Sequence, residues 1–128
     1  RETRKAFIVN ENHILLEADY SQVELRILAH LSEDENLINS FERDVDFHRL
    51  TASQLFNVKM DEVTPTLRRS AKAINFGIIY GMTKFGLAKR LNILEDEAEN
   101  YIEQYFDQYS FVKEFIDFFH YLRKHYLI

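Results

Sequence analysis

Thr64-Pro65-Thr66-Leu67-Arg68-Arg69-Ser70-Ala71-Lys72-Ala73-Ile74-Asn75-Phe76-Gly77-Ile78-Ile79-Tyr80-Gly81 reads as one helix with two unlike faces. Thr64-Pro65 starts it, with proline at the first helical position, where its missing N–H costs nothing. At about 100° per residue, with Leu67 at 0°, Ala71 falls near 40°, Ile74 near 340° and Ile78 near 20°. These four form a narrow apolar stripe that must face a core. Arg68, Lys72, Phe76 and Tyr80 fall near 100°, 140°, 180° and 220° on the same rule of about 100° per residue, away from that core. Two cations followed by two aromatics on an exposed face are ordered to hold a phosphate chain at one end and stack a planar base at the other. The bland alternative is a solvated charged face with its aromatics packed on a neighbouring helix.

The charge distribution favours an anionic ligand. Residues 63–94 carry Arg68, Arg69, Lys72, Lys84, Lys89 and Arg90 and no acid, whereas the other 96 residues hold 10 basic and 21 acidic side chains and the whole chain sums to -5. The acidic remainder faces solvent and the basic segment faces the ligand. All three glycines, Gly77, Gly81 and Gly86, lie in the same stretch. A mid-helix glycine costs roughly 1 kcal/mol relative to alanine. At Gly77 that cost implies close approach of another backbone, a base or a sugar, or a close helix crossing.

Outward from this helix the pattern stays helical. Three glycines and one proline in 128 residues, with abundant Phe, Tyr, Ile, Leu and Glu, predict a mainly α protein with one core. The expected helices are Gln22 to Leu31, opened by Ser21 and Glu24 in capping-box spacing, then Asp34 to Phe41 and Asp46 to Phe56, each opened by an aspartate. The basic helix follows, then Thr83 to Leu91, and then a long helix from Glu95 bent near Ser110. Ala6 to Val9 and Ile14 to Tyr20, separated by the polar turn Asn10-Glu11-Asn12, predict a short antiparallel two-stranded corner. There is no cysteine, which excludes disulfides and thiol chemistry. No run of eighteen apolar residues points to a membrane. The chain opens at Arg1 with its first methionine at Met60, which reads as a piece of a longer protein.

Asp19 closes the second apolar run, at the junction with the first helix. A carboxylate mounted at a strand end suits a hard cation such as Mg²⁺, and it is also a common strand terminator.

Asp19-Tyr20-Ser21-Gln22-Val23-Glu24-Leu25-Arg26 resembles the first palm motif of the family-A DNA polymerases, and Arg68 to Gly81 resembles that family's fingers-helix motif. Asp46-Phe47-His48-Arg49 and Phe85-Gly86-Leu87-Ala88 also sit where the family has them. The resemblance implies a fragment of one α+β polymerase right hand, with residues 1–30 from the palm and 31–128 forming the fingers. It implies DNA-templated nucleotidyl transfer by two Mg²⁺ ions in replication or repair. Asp19 would be one of two metal-holding carboxylates. Gln22, His48, Arg68 and Lys72 would contact the incoming deoxynucleoside triphosphate, with Lys72 also the candidate general acid. Phe76 would stack on the base or sugar, and Glu24 with Tyr80 would exclude a ribose 2′-hydroxyl. Tyr80, Gly81, Lys84 and Arg90 would contact primer-template DNA. The parent would be monomeric, in the cytoplasm at the nucleoid if bacterial, or in an organelle.

The departures are equally specific. The second palm carboxylate belongs to a His-Asp-Glu motif, and no His-x-Glu occurs in this sequence. Ser110 stands where the family usually has proline, and Phe111 to Ile128 leaves the family pattern. Half of a two-metal site is therefore expected to be missing. Two further readings fit the same residues: a non-catalytic nucleotide- or DNA-binding module, and a helical domain whose basic face binds an acidic protein.

Overall fold

The computed structural model describes residue 3, residues 6–43 and residues 45–126. Among the described residues seven α-helices follow in order: α1 (Val23–Ser32), α2 (Glu35–Glu42), α3 (Phe47–Leu55), α4 (Pro65–Ile79), α5 (Lys84–Leu91), α6 (Glu95–Gln108) and α7 (Ser110–Tyr126), with a 3₁₀ turn at Met60–Glu62. No described helix is long and apolar enough to cross a membrane.

Cap chemistry sets most boundaries. Asp34 Oδ1 accepts from Leu37 N–H (3.0 Å), Asp46 Oδ1 from Arg49 N–H (3.2 Å), Thr64 Oγ1 from Leu67 N–H (3.2 Å) and Thr83 Oγ1 from Gly86 N–H (3.4 Å), each satisfying an orphan amide of a first turn. The predicted long C-terminal helix is two helices broken at Tyr109, whose φ of -125° and ψ of 67° leave the helical region. Buried Asp34 stabilises the break, because its second oxygen accepts from Phe111 N–H at 3.1 Å and one carboxylate thereby caps both α2 and α7.

α3 packs most extensively on α4, and α5 on α6, while α1 lies between α2 and α7. The core gathers Leu25 and Leu28 from α1, Leu37 from α2, Phe47 from α3, Ile74 and Ile78 from α4, Leu87 from α5, Tyr105 from α6, and Tyr109 and Val112 at the break. Ala71 and Ile74 are fully buried and Ile78 nearly so, as the stripe requires; Leu67 is half-buried and packs on a second small cluster of Ala52, Val63 and Ala71.

The two-stranded corner is not present. Among the described residues no strand forms, and the structured feature of residues 7–20 is a turn at Glu11-Asn12 closed by a His13 N–H to Asn10 carbonyl bond of 3.0 Å. A two-stranded ribbon is marginal without a sheet or helix to cover its apolar face. Here nothing covers it: Ile8 is 88% exposed and Leu16 83%. The mainly α prediction holds and its β corner does not. The capping box at Ser21 also fails, because Gln22 occupies the N-cap in a left-handed conformation (φ 54°, ψ 40°) with no side-chain cap. The Ser21 carbonyl instead accepts from Arg26 Nε at 3.1 Å.

α4 ends in a Schellman motif: Met82 N–H donates to the Gly77 carbonyl (2.7 Å) and Gly81 N–H to the Ile78 carbonyl (3.0 Å). Gly81 holds φ at +68°, where glycine carries no steric cost. The turn swings Met82 back against α4. A Cβ on Gly77 would stand 3.3 Å from Met82 Sδ, and one on Gly86 of α5 would stand 2.8 Å from Met82 Cγ. The close approach foreseen at Gly77 is therefore by a thioether of the same chain.

Candidate functional site

The outer face of α4 meets the end of α5 in a groove of about 430 Å³ lined by Arg69, Lys72, Phe76 and Arg90, among others. The three cations form no ion pair among the described residues. Lys72 Nζ stands 5.8 Å from the Phe76 ring centroid, and Phe76 stacks on Tyr80 with centroids 6.3 Å apart and planes 12° apart. Phe76 is half-buried and Tyr80 is exposed. Lys72, Phe76, Tyr80 and Arg90 thus come together, joined by Arg69. On the helical wheel Arg69 falls about 20° from Phe76, so its place was open to inference.

Arg68 turns to the other side. With Ser21, Gln22, Arg26 and Asp46 it lines a separate, polar cavity of about 280 Å³, and its Nε donates to Asp46 Oδ2 at 2.7 Å. Burial works against the Asp46 charge, but the Arg68 guanidinium and the Arg49 amide outweigh it and hold the carboxyl below its ordinary range. Gln22 and Arg68 are brought together, but in this cavity and not in the groove.

His48 is 3% exposed, at the start of α3. Asn75 Nδ2 donates to its Nδ1 at 2.9 Å, which places the proton of the neutral ring on Nε2. Its ring lies 5.9 Å from that of Phe76. Burial, followed by the nearby positive charge of Arg68, lowers its pKa from 6.5 to about 4, with Asp46 opposing and Lys72 adding a smaller push the same way. At neutral pH His48 is therefore uncharged and offers an N–H rather than a cation.

The remaining predicted residues are dispersed. Lys84 Nζ donates to Glu99 Oε2 of α6 at 2.7 Å, and this bond raises the Lys84 pKa. Glu24 borders an apolar groove formed by α1 and α7 with Ile27, Leu31, Ile79 and Phe119; no hydrogen bond joins it to Tyr80 among the described residues. Asp19 is exposed in the irregular segment before α1. A hard divalent cation takes six or more oxygen ligands, usually from several residues. Among the described residues no group of three or more His, Asp or Glu is arranged to hold one. Asp19 alone does not fit a metal site.

Asn75 was missed. It is fully buried, with its amide also donating to Thr51 Oγ1 at 3.2 Å. Its signal was its wheel position, near 80° at about 100° per residue and so beside the apolar stripe, where an amide needs a buried partner.

The family described as DNA polymerase family A matches residues 1–125. DNA polymerase I of Borreliella burgdorferi is 56% identical over 116 residues, covering 91% of this chain and 13% of its own length. DNA polymerase I of Caldicellulosiruptor bescii is 51% identical over 114 residues, 89% of this chain and again 13% of the relative. Among solved structures, the POL domain of Pol1 from M. smegmatis, in complex with DNA primer-template and dNTP, superposes with a TM-score of 0.75 at 47% identity, over 83% of this chain and 19% of that one. The chain therefore spans only a small part of the proteins it matches. With a family match over nearly its whole length and identities near one half, it belongs to DNA polymerase family A.

Proposed function

We propose that this chain is the nucleotide-gripping part of a DNA-templated DNA polymerase, with residues 31–128 as the fingers and residues 1–30 as adjoining palm. The α4–α5 groove carries the reading: Arg69, Lys72 and Arg90, without an ion pair among the described residues, stand beside an aromatic face at Phe76. Cations bind the triphosphate through charge-assisted hydrogen bonds and Phe76 stacks on the base. Arg68 and Gln22 serve the phosphate end from the separate polar cavity, and Glu24 and Tyr80 border the sugar. Tyr80, Gly81 and Arg90 lie along the path of primer-template DNA, where Lys84 contributes less because Glu99 already pairs its charge. Asp19 supplies a single carboxylate toward a two-Mg²⁺ centre whose other ligands come from residues beyond this sequence. The two relatives named above are bacterial polymerases, which favours a setting at the bacterial nucleoid.

A titration with a deoxynucleoside triphosphate tests this. Affinity is expected to exceed that for the monophosphate, to fall by roughly 1.5–3 kcal/mol in Lys72→Ala in a salt-dependent way, and to fall by about 1–3 kcal/mol in Phe76→Ala with little salt dependence. Equal affinity for mono- and triphosphate would instead favour a helical interaction domain.

Two-metal phosphoryl transfer needs at least two placed carboxylates, so the isolated chain is expected to extend no primer. Templated extension by purified chain that disappears in Asp19→Ala would overturn this.

A further inference from the structure

We propose that the buried trio His48, Asn75 and Thr51 is a clamp that sets the Phe76 ring, which makes Thr51 and Asn75 positioning residues for the base of a bound nucleotide. The proposal rests on the nucleotide reading of the groove.

The hydrogen bonds run in one order. Thr51 Oγ1 donates to the Phe47 carbonyl at 2.9 Å, the shorter of its two acceptor contacts, the other being Asn75 Oδ1 at 3.3 Å. Its oxygen then accepts from Asn75 Nδ2 at 3.2 Å, and the same amide donates to His48 Nδ1 at 2.9 Å. Both Asn75 and Thr51 are buried, at 0% and 1% exposure. An apolar pair would fill this contact between α3 and α4 without desolvating an amide and a hydroxyl. What the polar trio adds is orientation: it fixes the tautomer of His48 and the way its ring faces. That ring stands 46° to Phe76 with centroids 5.9 Å apart, while Tyr80 stacks on Phe76 and Lys72 lies over it. Phe76 follows Asn75 directly in the chain. Its ring is therefore bounded by His48 on the interior side and left open on the groove side.

The clamp acts on the base and not on the phosphates, and the test uses that difference. Thr51→Val keeps the shape of the side chain and removes the acceptor; Thr51→Ser restores it. dATP and inorganic tripolyphosphate are titrated into the wild type and both variants at a temperature where circular dichroism shows all three folded. Nuclear Overhauser contacts between the His48 and Phe76 rings are recorded in parallel. Thr51→Val is expected to weaken dATP roughly three- to tenfold, as for loss of one hydrogen bond. It is expected to leave tripolyphosphate unchanged and to lose the ring contact, and Thr51→Ser is expected to recover both. Unchanged dATP affinity in Thr51→Val, or equal weakening of both ligands, overturns the clamp. If wild type binds dATP no better than tripolyphosphate, the nucleotide reading of the groove fails; the clamp is then judged by the ring contact, and its persistence in Thr51→Val overturns it. Should Thr51→Val not fold, Thr51→Ala carries the same comparison.

Discussion

Ile74→Ala is expected to lower the unfolding free energy by about 2–5 kcal/mol, the cost of a buried cavity. Ile74 has no exposed surface and sits where α4 meets the main core. Phe76, two residues on and half-exposed, is expected to cost clearly less on truncation although it loses a larger side chain. Urea unfolding followed by circular dichroism compares the two. If Phe76→Ala destabilises as much as Ile74→Ala, Phe76 belongs to the core, and the division of α4 into a packed face and a ligand face collapses.

Stability is expected to fall by about 3 kcal/mol as pH drops from about 6.5 to about 4, at roughly 1.4 kcal/mol per pH unit for one group. The folded pKa of His48 lies below its unfolded value of 6.5, at about 4. The folded state therefore binds fewer protons, and the contribution is complete above 6.5 and lost as pH falls through the window. Burial is the main cause, and the neighbouring cations Arg68 and Lys72 reinforce it against Asp46. The lowered carboxyl of Asp46 contributes in the same sense, but only below its ordinary value of 3.8. His48→Gln removes the titrating ring and keeps an oxygen able to accept from Asn75. Urea unfolding at several pH values should give the wild type the steeper dependence; equal slopes would remove His48 as the cause.

What could be read from the residues alone was local. Asp34 and Asp46 announced helix starts because an N-cap needs only its own next three amides, and Pro65 announced another because it suits the first helical position. The Leu67, Ala71, Ile74, Ile78 stripe announced a core face because helical periodicity is a property of the chain itself. The strands failed for the opposite reason. Ala6 to Val9 and Ile14 to Tyr20 have strand-like composition, but a ribbon forms only against something, and no such surface lies in these residues. Ser21 and Glu24 had the right spacing, yet a left-handed Gln22 took the N-cap, so the helix starts at Val23 and leaves Ser21 outside it. Lys84 and Arg68 looked alike as cations; only packing reveals that each has a carboxylate partner, Glu99 and Asp46, far away in sequence. Asn75 was hidden the same way, since its partners His48 and Thr51 lie on another helix.

Met82 limits how closely α4 and α5 can approach. Its thioether fills the notch left by two missing Cβ atoms, one on each wall, so α4 and α5 are wedged at a set spacing. Neither helix can close further on the other without displacing that side chain. On the proposed nucleotide reading, an aromatic face that every base can stack on does not by itself tell a purine from a pyrimidine. Under the proposed function, the choice among four nucleotides would then fall to the strand being copied.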